Sequence, residues 1–199
     1  MKSEKIPLLY VVVLALCILS IQGCKPSESQ TDTPNPNPQP LSSIRKPAGK
    51  TFGITPEKFR VALNAQASTK NLPERFKIKS IVVEPGEVKN AATLYITDSL
   101  GASVAVDKVS GEIESVIVAG KSETVKQSTD LLLFSIMIAT TVDSSVSEKR
   151  VYAILPKLFD AALKNVGKQF SEIEGDSKLG ATVIKANGLL LLSVAPRER

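Results

Sequence analysis

Apolar positions along the chain change period several times, and each change marks an element. Ile6 to Ile21 is an almost unbroken apolar run, shorter than the roughly 20 residues of a membrane span. Residues 25–50 (KPSESQTDTPNPNPQPLSSIRKPAGK) carry no apolar period. A helical stripe then appears at Phe59, Ala62, Leu63 and Ala67. Thr55 is a good N-cap for it, Pro56 fits the first helical position, Glu57 suits the positive helix end, and Ile54 and Phe59 are placed as a hydrophobic staple. Strand-like runs follow at Phe76–Val82, 91–97 (AATLYIT), Ala102–Asp107 and Ile113–Ala119. Asp98-Ser99-Leu100-Gly101 and Ser110-Gly111 supply the turns of this meander.

The period changes again at Leu131–Val142 (LLLFSIMIATTV). Its length, and Ser128-Thr129-Asp130 before it, predict a helix buried nearly all round; a buried strand is the alternative. Ser147 opens an amphipathic segment with Val151, Ile154, Leu155, Leu158, Phe159, Ala162 and Val166 at helical spacing. Pro156 is expected to kink or restart it, and Gly167 to stand at its C′ position. A hairpin closes the chain: 180–185, the turn pair Asn187-Gly188, and 189–195.

Two pieces recur in the same order. Leu100-Gly101-Ala102-Ser103-Val104 matches Leu179-Gly180-Ala181-Thr182-Val183, and each is followed by a lysine and a turn glycine, Lys108/Gly111 and Lys185/Gly188. Pro56-x-x-Phe59-x-x-Ala62-Leu63 matches Pro156-x-x-Phe159-x-x-Ala162-Leu163. A duplicated helix-plus-hairpin unit explains both; coincidence is the alternative, since proline at N1 and glycine in turns are local preferences anyway. Under duplication Pro156 would open a helix and Lys149–Leu155 would be a separate turn. Either way the pattern predicts an α+β domain over residues 51–199, one antiparallel sheet with helices packed on one face. Tandem helix-and-sheet units of this kind resemble the layout of TBP-like and beta-lactamase-inhibitor-like domains, a likeness that carries no function.

The first 24 residues say where the domain works. Lys2 and Lys5 form a basic head, the apolar run follows, and Gln22-Gly23 precedes Cys24. That is the pattern of a secretory signal. Ile21-Gln22-Gly23-Cys24 resembles the lipobox of bacterial lipoproteins. The resemblance implies that residues 1–23 are removed and that Cys24 is lipidated with a thioether-linked diacylglycerol and acylated at its amino end, palmitate-type chains being the usual anchor. Two or more acyl chains hold a protein stably on a membrane, each buried methylene contributing about 0.8 kcal/mol. Lys25 stands where inner-membrane lipoproteins of Gram-negative bacteria usually carry aspartate, so the resemblance implies the periplasmic face of the outer membrane, or the outer face of the plasma membrane in a Gram-positive cell. Residues 24–50 then read as the lipidated cysteine and a disordered, proline-rich tether with a reach of at most ~80 Å.

Composition narrows the chemistry. The chain has no histidine and no tryptophan, and its two cysteines are Cys17 and Cys24. Serine–histidine and cysteine–histidine catalysis, histidine metal sites, thiolate sites and disulfides are therefore excluded from residues 51–199. The formal charge of +5 is spread thinly, with both signs interspersed in the domain, so no nucleic-acid footprint is expected. Ser43-x-x-Lys46 has the spacing of some acyl-transfer enzymes but lies in the tether. Gly120-Lys121-Ser122 ends like a P-loop but lacks the glycine five residues earlier, where Ser115 stands. Glu84/Glu87 and Glu112/Glu114 are the carboxylate pairs with acid–base spacing; Asp98, Asp107, Asp130 and Asp143 do not follow a calcium-loop spacing.

The sequence therefore predicts no enzyme, no catalytic residue, no metal and no cofactor. It predicts a membrane-anchored envelope protein whose domain binds another envelope protein through a sheet face or edge strand, as an accessory, inhibitor or immunity-type factor. The alternative is a carrier of a small apolar ligand or lipid between sheet and helices, near residues 131–142.

Overall fold

The computed structural model describes residues 50–198. Cys24, the lipobox, the proline-rich tether and Ser43-x-x-Lys46 lie outside the described residues. From Lys50 the chain enters beside the middle of the sheet. Lys50 Nζ donates to Arg197 O (3.0 Å) and Thr51 Oγ1 to Glu112 Oε2 (2.5 Å). Phe52 N donates to Ile113 O, and Ile113 N to Ile54 O (both 2.9 Å).

Helix α1 spans Pro56–Thr69, with Thr55 capping it and Pro56 in the first turn. A 3₁₀ turn at Glu74–Phe76 leads into β1, Val82–Glu84. Strands β2 (Asn90–Thr97), β3 (Leu100–Val106) and β4 (Ile113–Gly120) complete the first meander. Helices α2 (Val125–Val142) and α3 (Glu148–Lys164) follow, then β5 (Gln169–Glu174), β6 (Ser177–Val183) and β7 (Leu190–Pro196). The strands form one antiparallel sheet in the order β1-β2-β3-β4-β7-β6-β5. The expected α+β class, with helices against one face, is what the molecule adopts.

The sheet order is a palindrome of two meanders, β2-β3-β4 and β7-β6-β5, joined at β4 and β7. Across the join Val116 pairs with Val194, Gly120 with Leu190, and Val118 with Leu192 at the midpoint. The matched Leu-Gly-Ala segments fall on β3 and β6, at equivalent places in the two halves. Their turns also correspond. Gly111 N donates to Asp107 O (3.0 Å) and Gly188 N to Ile184 O (2.9 Å), with both glycines left-handed at φ +70° and +65°. The helical half of the repeat does not correspond in the same way. Pro156 lies inside a continuous α3 and opens nothing, and Lys149–Leu155 is helix, not a separate turn. Leu63 is fully buried on α1, whereas Leu163 is half exposed and Ala162 takes the buried place. The two matched motifs sit about one residue, or 100°, out of phase. Pro156 is tolerated because it and Tyr152, whose carbonyl it deprives of a donor, both face solvent.

Three other expectations change in the structure. The strand expected over Phe76–Val82 is a 3₁₀ turn and an irregular strap, with strand only from Val82. Asn64 on α1 takes both main-chain groups of Ile78, receiving from Ile78 N (2.7 Å) and donating to Ile78 O (2.8 Å), so they are spent on a helix and not on a neighbouring strand. Helix α2 starts six residues before the expected Leu131, because Thr124 and Gln127 form a reciprocal capping box. Strand β5 was not expected at all. Its apolar residues Phe170 and Ile173 are an odd number apart and point to opposite faces, which breaks the alternation.

The core lies between the sheet and the helices. Leu131, Phe134, Ile136, Met137, Ile138 and Ala139 of α2 are at most 1% exposed, packed with Phe59, Leu63, Leu155, Val116, Val118, Leu179 and Leu192. Gly120 makes room for α2. A Cβ there would stand 2.9 Å from Leu131 Cδ1 and 3.3 Å from Leu100 Cδ1. Between α1 and α2, Gln66 donates to Thr140 Oγ1 (2.9 Å) and accepts from Thr141 Oγ1 (2.7 Å).

Two substitutions test this packing. Asn64→Ala leaves the part-buried N–H of Ile78 without its partner and its C=O with the longer donation from Arg60 Nη1 (3.4 Å) alone, and is expected to cost about 1–3 kcal/mol in chemical denaturation. Ser135, fully buried in α2, has an Oγ with no hydrogen-bond partner among the described residues. Ser135→Ala removes that desolvated hydroxyl and is expected to raise stability by roughly 1 kcal/mol or more in the same measurement.

Candidate functional site

Strand pairing sorts the sheet residues into two faces. Ala92, Leu94, Ala102, Val104, Val118, Leu179 and Leu192 point toward the helices. The second face alternates with them, and no described helix packs on it. Its central strands present Gly101, Ser103, Ala105, Ile117, Ala119, Leu191 and Ser193, small or apolar and uncharged throughout. Ile117, Ala119 and Leu191 form a buried apolar cluster of their own, at most 6% exposed, with Ile184 against it, and Ser103 and Ala105 beside them on β3 are buried as well. Charge appears only toward the wings, at Glu84 on β1 and Lys178 on β6. An antiparallel sheet with a solvated face ordinarily alternates apolar and polar residues; strands as apolar as β3, β4 and β7 are usual where both faces are covered.

Each wing carries a groove. A larger one, about 640 Å³, runs between the strap at Glu74–Ser80 and the edge strands, with Val82, Glu84, Thr93, Tyr95 and Ile96 on the sheet side. A smaller one, about 360 Å³, lies over β5, β6 and β7, lined by Gln169, Ile173, Lys178, Gly180, Ser193 and the chain end at Arg197–Glu198. Tyr95 is 58% exposed, and Val82 and Ile173 are exposed beside it and across from it on the two wings.

The carboxylates singled out by spacing have separate duties. Glu112 accepts from Thr51 Oγ1. Glu114 is buried at a bulge in β4, with the Lys89 ammonium against its Oε2 as an ion pair that is not aligned as a hydrogen bond. Glu84 lines the larger groove, while the main-chain oxygen of Glu87 accepts from Lys108 Nζ (2.7 Å). Asp130 pairs with Arg75 (3.0 Å), and Asp143 accepts from Ser145 and, at 2.6 Å, from Ser177. Among the described residues no group of three or more carboxylate side chains is placed to hold a metal ion. Gly120-Lys121-Ser122 is a strand end leading into the capped start of α2; Lys121 N donates to Ser99 O and the Lys121 ammonium pairs with Glu123.

The segment expected either to form the core or to face a ligand is the core. Phe134, Ile136 and Ile138 are at most 1% exposed, and Leu132 is partly buried against them. Sequence reasoning missed the larger groove. Its signal was faint: one tyrosine in AATLYIT, at an outward position whose neighbour on β3 is Gly101. No protein-family model, no curated protein and no solved structure matches the chain.

Asp107 holds the turn between β3 and β4. Its Oδ1 accepts from Ser110 N (2.7 Å), Ser110 Oγ (3.0 Å) and Val109 N (3.0 Å). The Ser110 N–H above all, with the hydroxyl, the Val109 N–H and the Lys89 charge, holds its carboxyl below the usual aspartate range against the opposing effect of desolvation. A depressed carboxylate stabilises the fold above its unfolded pKa, about 3.9, and loses that contribution as pH falls through the lower folded value. Asp107→Asn is therefore expected to be less stable than the parent chain at neutral pH, with the difference shrinking below pH ~4 in acid denaturation followed by circular dichroism.

Proposed function

We propose that the domain is a protein-binding module of a bacterial envelope, held to the membrane through lipidated Cys24 and acting by recognition, not catalysis. The observation that carries this reading is the pair of grooves at the two wings of the sheet. Both faces are buried at the centre of the sheet, and the accessible relief lies at the wings, in two grooves with Tyr95, Val82 and Ile173 exposed beside them. Grooves that set exposed apolar side chains among polar ones suit a protein partner. Tyrosine supplies an anchor of the kind that dominates such interfaces.

The chemistry available points the same way. The chain has no histidine, and after Cys24 no cysteine. Asp107, Glu112, Glu114, Asp130 and Asp143 are occupied in turns, hydrogen bonds and ion pairs. By the lipobox resemblance the site of action is the periplasmic face of the outer membrane, and the partner is an envelope protein in an accessory, inhibitor or immunity-type relation.

Cross-linking and pull-down from native membranes tests both parts. Cys24→Ser is expected to move the chain from the membrane to the soluble fraction. Tyr95→Ala on one wing and Thr182→Arg on the other are each expected to reduce capture of the cross-linked partner about tenfold, the effect of losing one interface anchor. Undiminished capture in both folded variants would reject the second face as the binding surface.

A further inference from the structure

The larger groove has an unusual wall. Residues 74–80 run beside the sheet edge without joining it, because they are fastened to the helices. Asn64 of α1 holds both main-chain groups of Ile78 (2.7 and 2.8 Å). The Phe76 ring packs on Phe134 of α2 at 6.5 Å, and Arg75 pairs with Asp130 of α2 at 3.0 Å. The strap reaches the sheet only at Val82, where β1 pairs with Ala91, Ala92 and Thr93. The rest of β2, Leu94–Thr97, is paired with β3 on one side and has no strand partner among the described residues on the other. The edge and the pinned strap therefore enclose a slot with main-chain donors and acceptors along one side.

We propose that this slot takes an extended, acidic segment of a partner protein as an added strand on β2. An unpaired sheet edge selects extended main chain, and the pockets beside it select side chains. The side chains favour acid. Arg75, Lys77 and Lys79 line the stretch of slot along the bare edge, with Arg75 spent on Asp130; Glu84 lies beyond, at the far end of β1. Lys77 pairs with Glu74 at 2.8 Å, and Lys79 makes no ion pair among the described residues. Exposed Tyr95 and Val82 give the added strand apolar contacts on the second face of the sheet. The second meander has no such slot. Helix α3 leads directly to β5, which occupies the place of β2 and has no strap beside it. The inference rests on the binding reading above and names the form in which the partner binds.

The test uses the full chain in detergent micelles and a probe taken from the protein itself, an acetylated and amidated peptide of the β5 sequence Gln-Phe-Ser-Glu-Ile-Glu (residues 169–174). Hydrogen exchange of the segment 91–98 is followed by mass spectrometry. The expected result is slower exchange there, by about threefold or more with the probe near 1 mM, a range suited to a short strand that must order itself on binding. Protection should weaken with salt and vanish in Lys79→Glu, and it should be absent for the same peptide with proline in place of its first glutamate. Unchanged exchange at 91–98 would overturn the proposal, as would protection that survives both Lys79→Glu and the proline peptide. If the probe fails while membrane capture still depends on Tyr95 and Thr182, strand addition is wrong and the binding reading stands. If capture is also insensitive to those residues, both fall.

Discussion

The join between β4 and β7 is the constraint on which the rest of the molecule depends. Two meanders, each with free edges of its own, become one sheet only because Val116–Gly120 and Leu190–Val194 pair antiparallel in a register that reads alike from either end. That pairing sets Val116, Val118, Leu192 and Val194 side by side as a continuous apolar floor. Helix α2 lies on this floor, and its burial is what makes so apolar a helix soluble in context. Gly120 allows the close approach; any side chain there would meet Leu131 and Leu100. Because β4 and β7 are far apart in sequence, the loop entropy of bringing them together is offset only when both meanders and α2 are in place, so the core forms as a unit.

Each layer of helices then has a second task. Helix α1 buries Phe59 and Leu63, and with Asn64 it also takes hold of Ile78. Helix α2 fills the core with Phe134 and steadies the strap through the Phe76 ring and the Arg75–Asp130 pair. The strap is thus tied to the helical layer through Asn64, Phe134 and Asp130, with Arg60 also donating to Ile78 O and Lys79 O, and leaves β2 only partly covered. A free edge in a natural sheet is ordinarily shortened, bulged or charged to prevent unwanted pairing. Here Arg75 and Lys77 beside the bare part of the edge are paired with Asp130 and Glu74, and Lys79 is the charge that would oppose a basic strand and favour an acidic one. The proposed binding behaviour and the packing of the core therefore share residues.

The chemistry-bearing residues illustrate how far spacing can be trusted. Glu112 and Glu114 look like a pair on one strand face, yet a bulge separates them and each has a different partner, Thr51 and Lys89. The Pro-Phe-Ala-Leu match between α1 and α3 looks like one repeated helix, yet the buried faces are turned by a residue and Pro156 stands in a helix interior. The matched Leu-Gly-Ala strands and their lysine–glycine turns, by contrast, do occupy equivalent places. Strand and turn motifs carried the repeat faithfully because β pairing fixes register residue by residue, whereas a helix can rotate on a sheet and still bury an apolar stripe.

The class of fold, the capped start of α1, three of the central strands, the closing hairpin and the buried character of residues 131–142 all follow from local rules: period, cap and turn chemistry act within a few residues. The absence of histidine and of thiols beyond Cys24 likewise constrains chemistry whatever the fold. Other features belong to tertiary structure alone. Phe76–Val82 has the alternation of a strand, but Asn64 outbids a neighbouring strand for the main chain of Ile78. Gln169–Glu174 lacks alternation and is a strand because β6 offers it an edge. Whether Tyr95 faces solvent depends on where α1 and α2 hold the strap, a contact between residues distant in sequence, and side chains that meet only after folding leave no periodic mark on the chain.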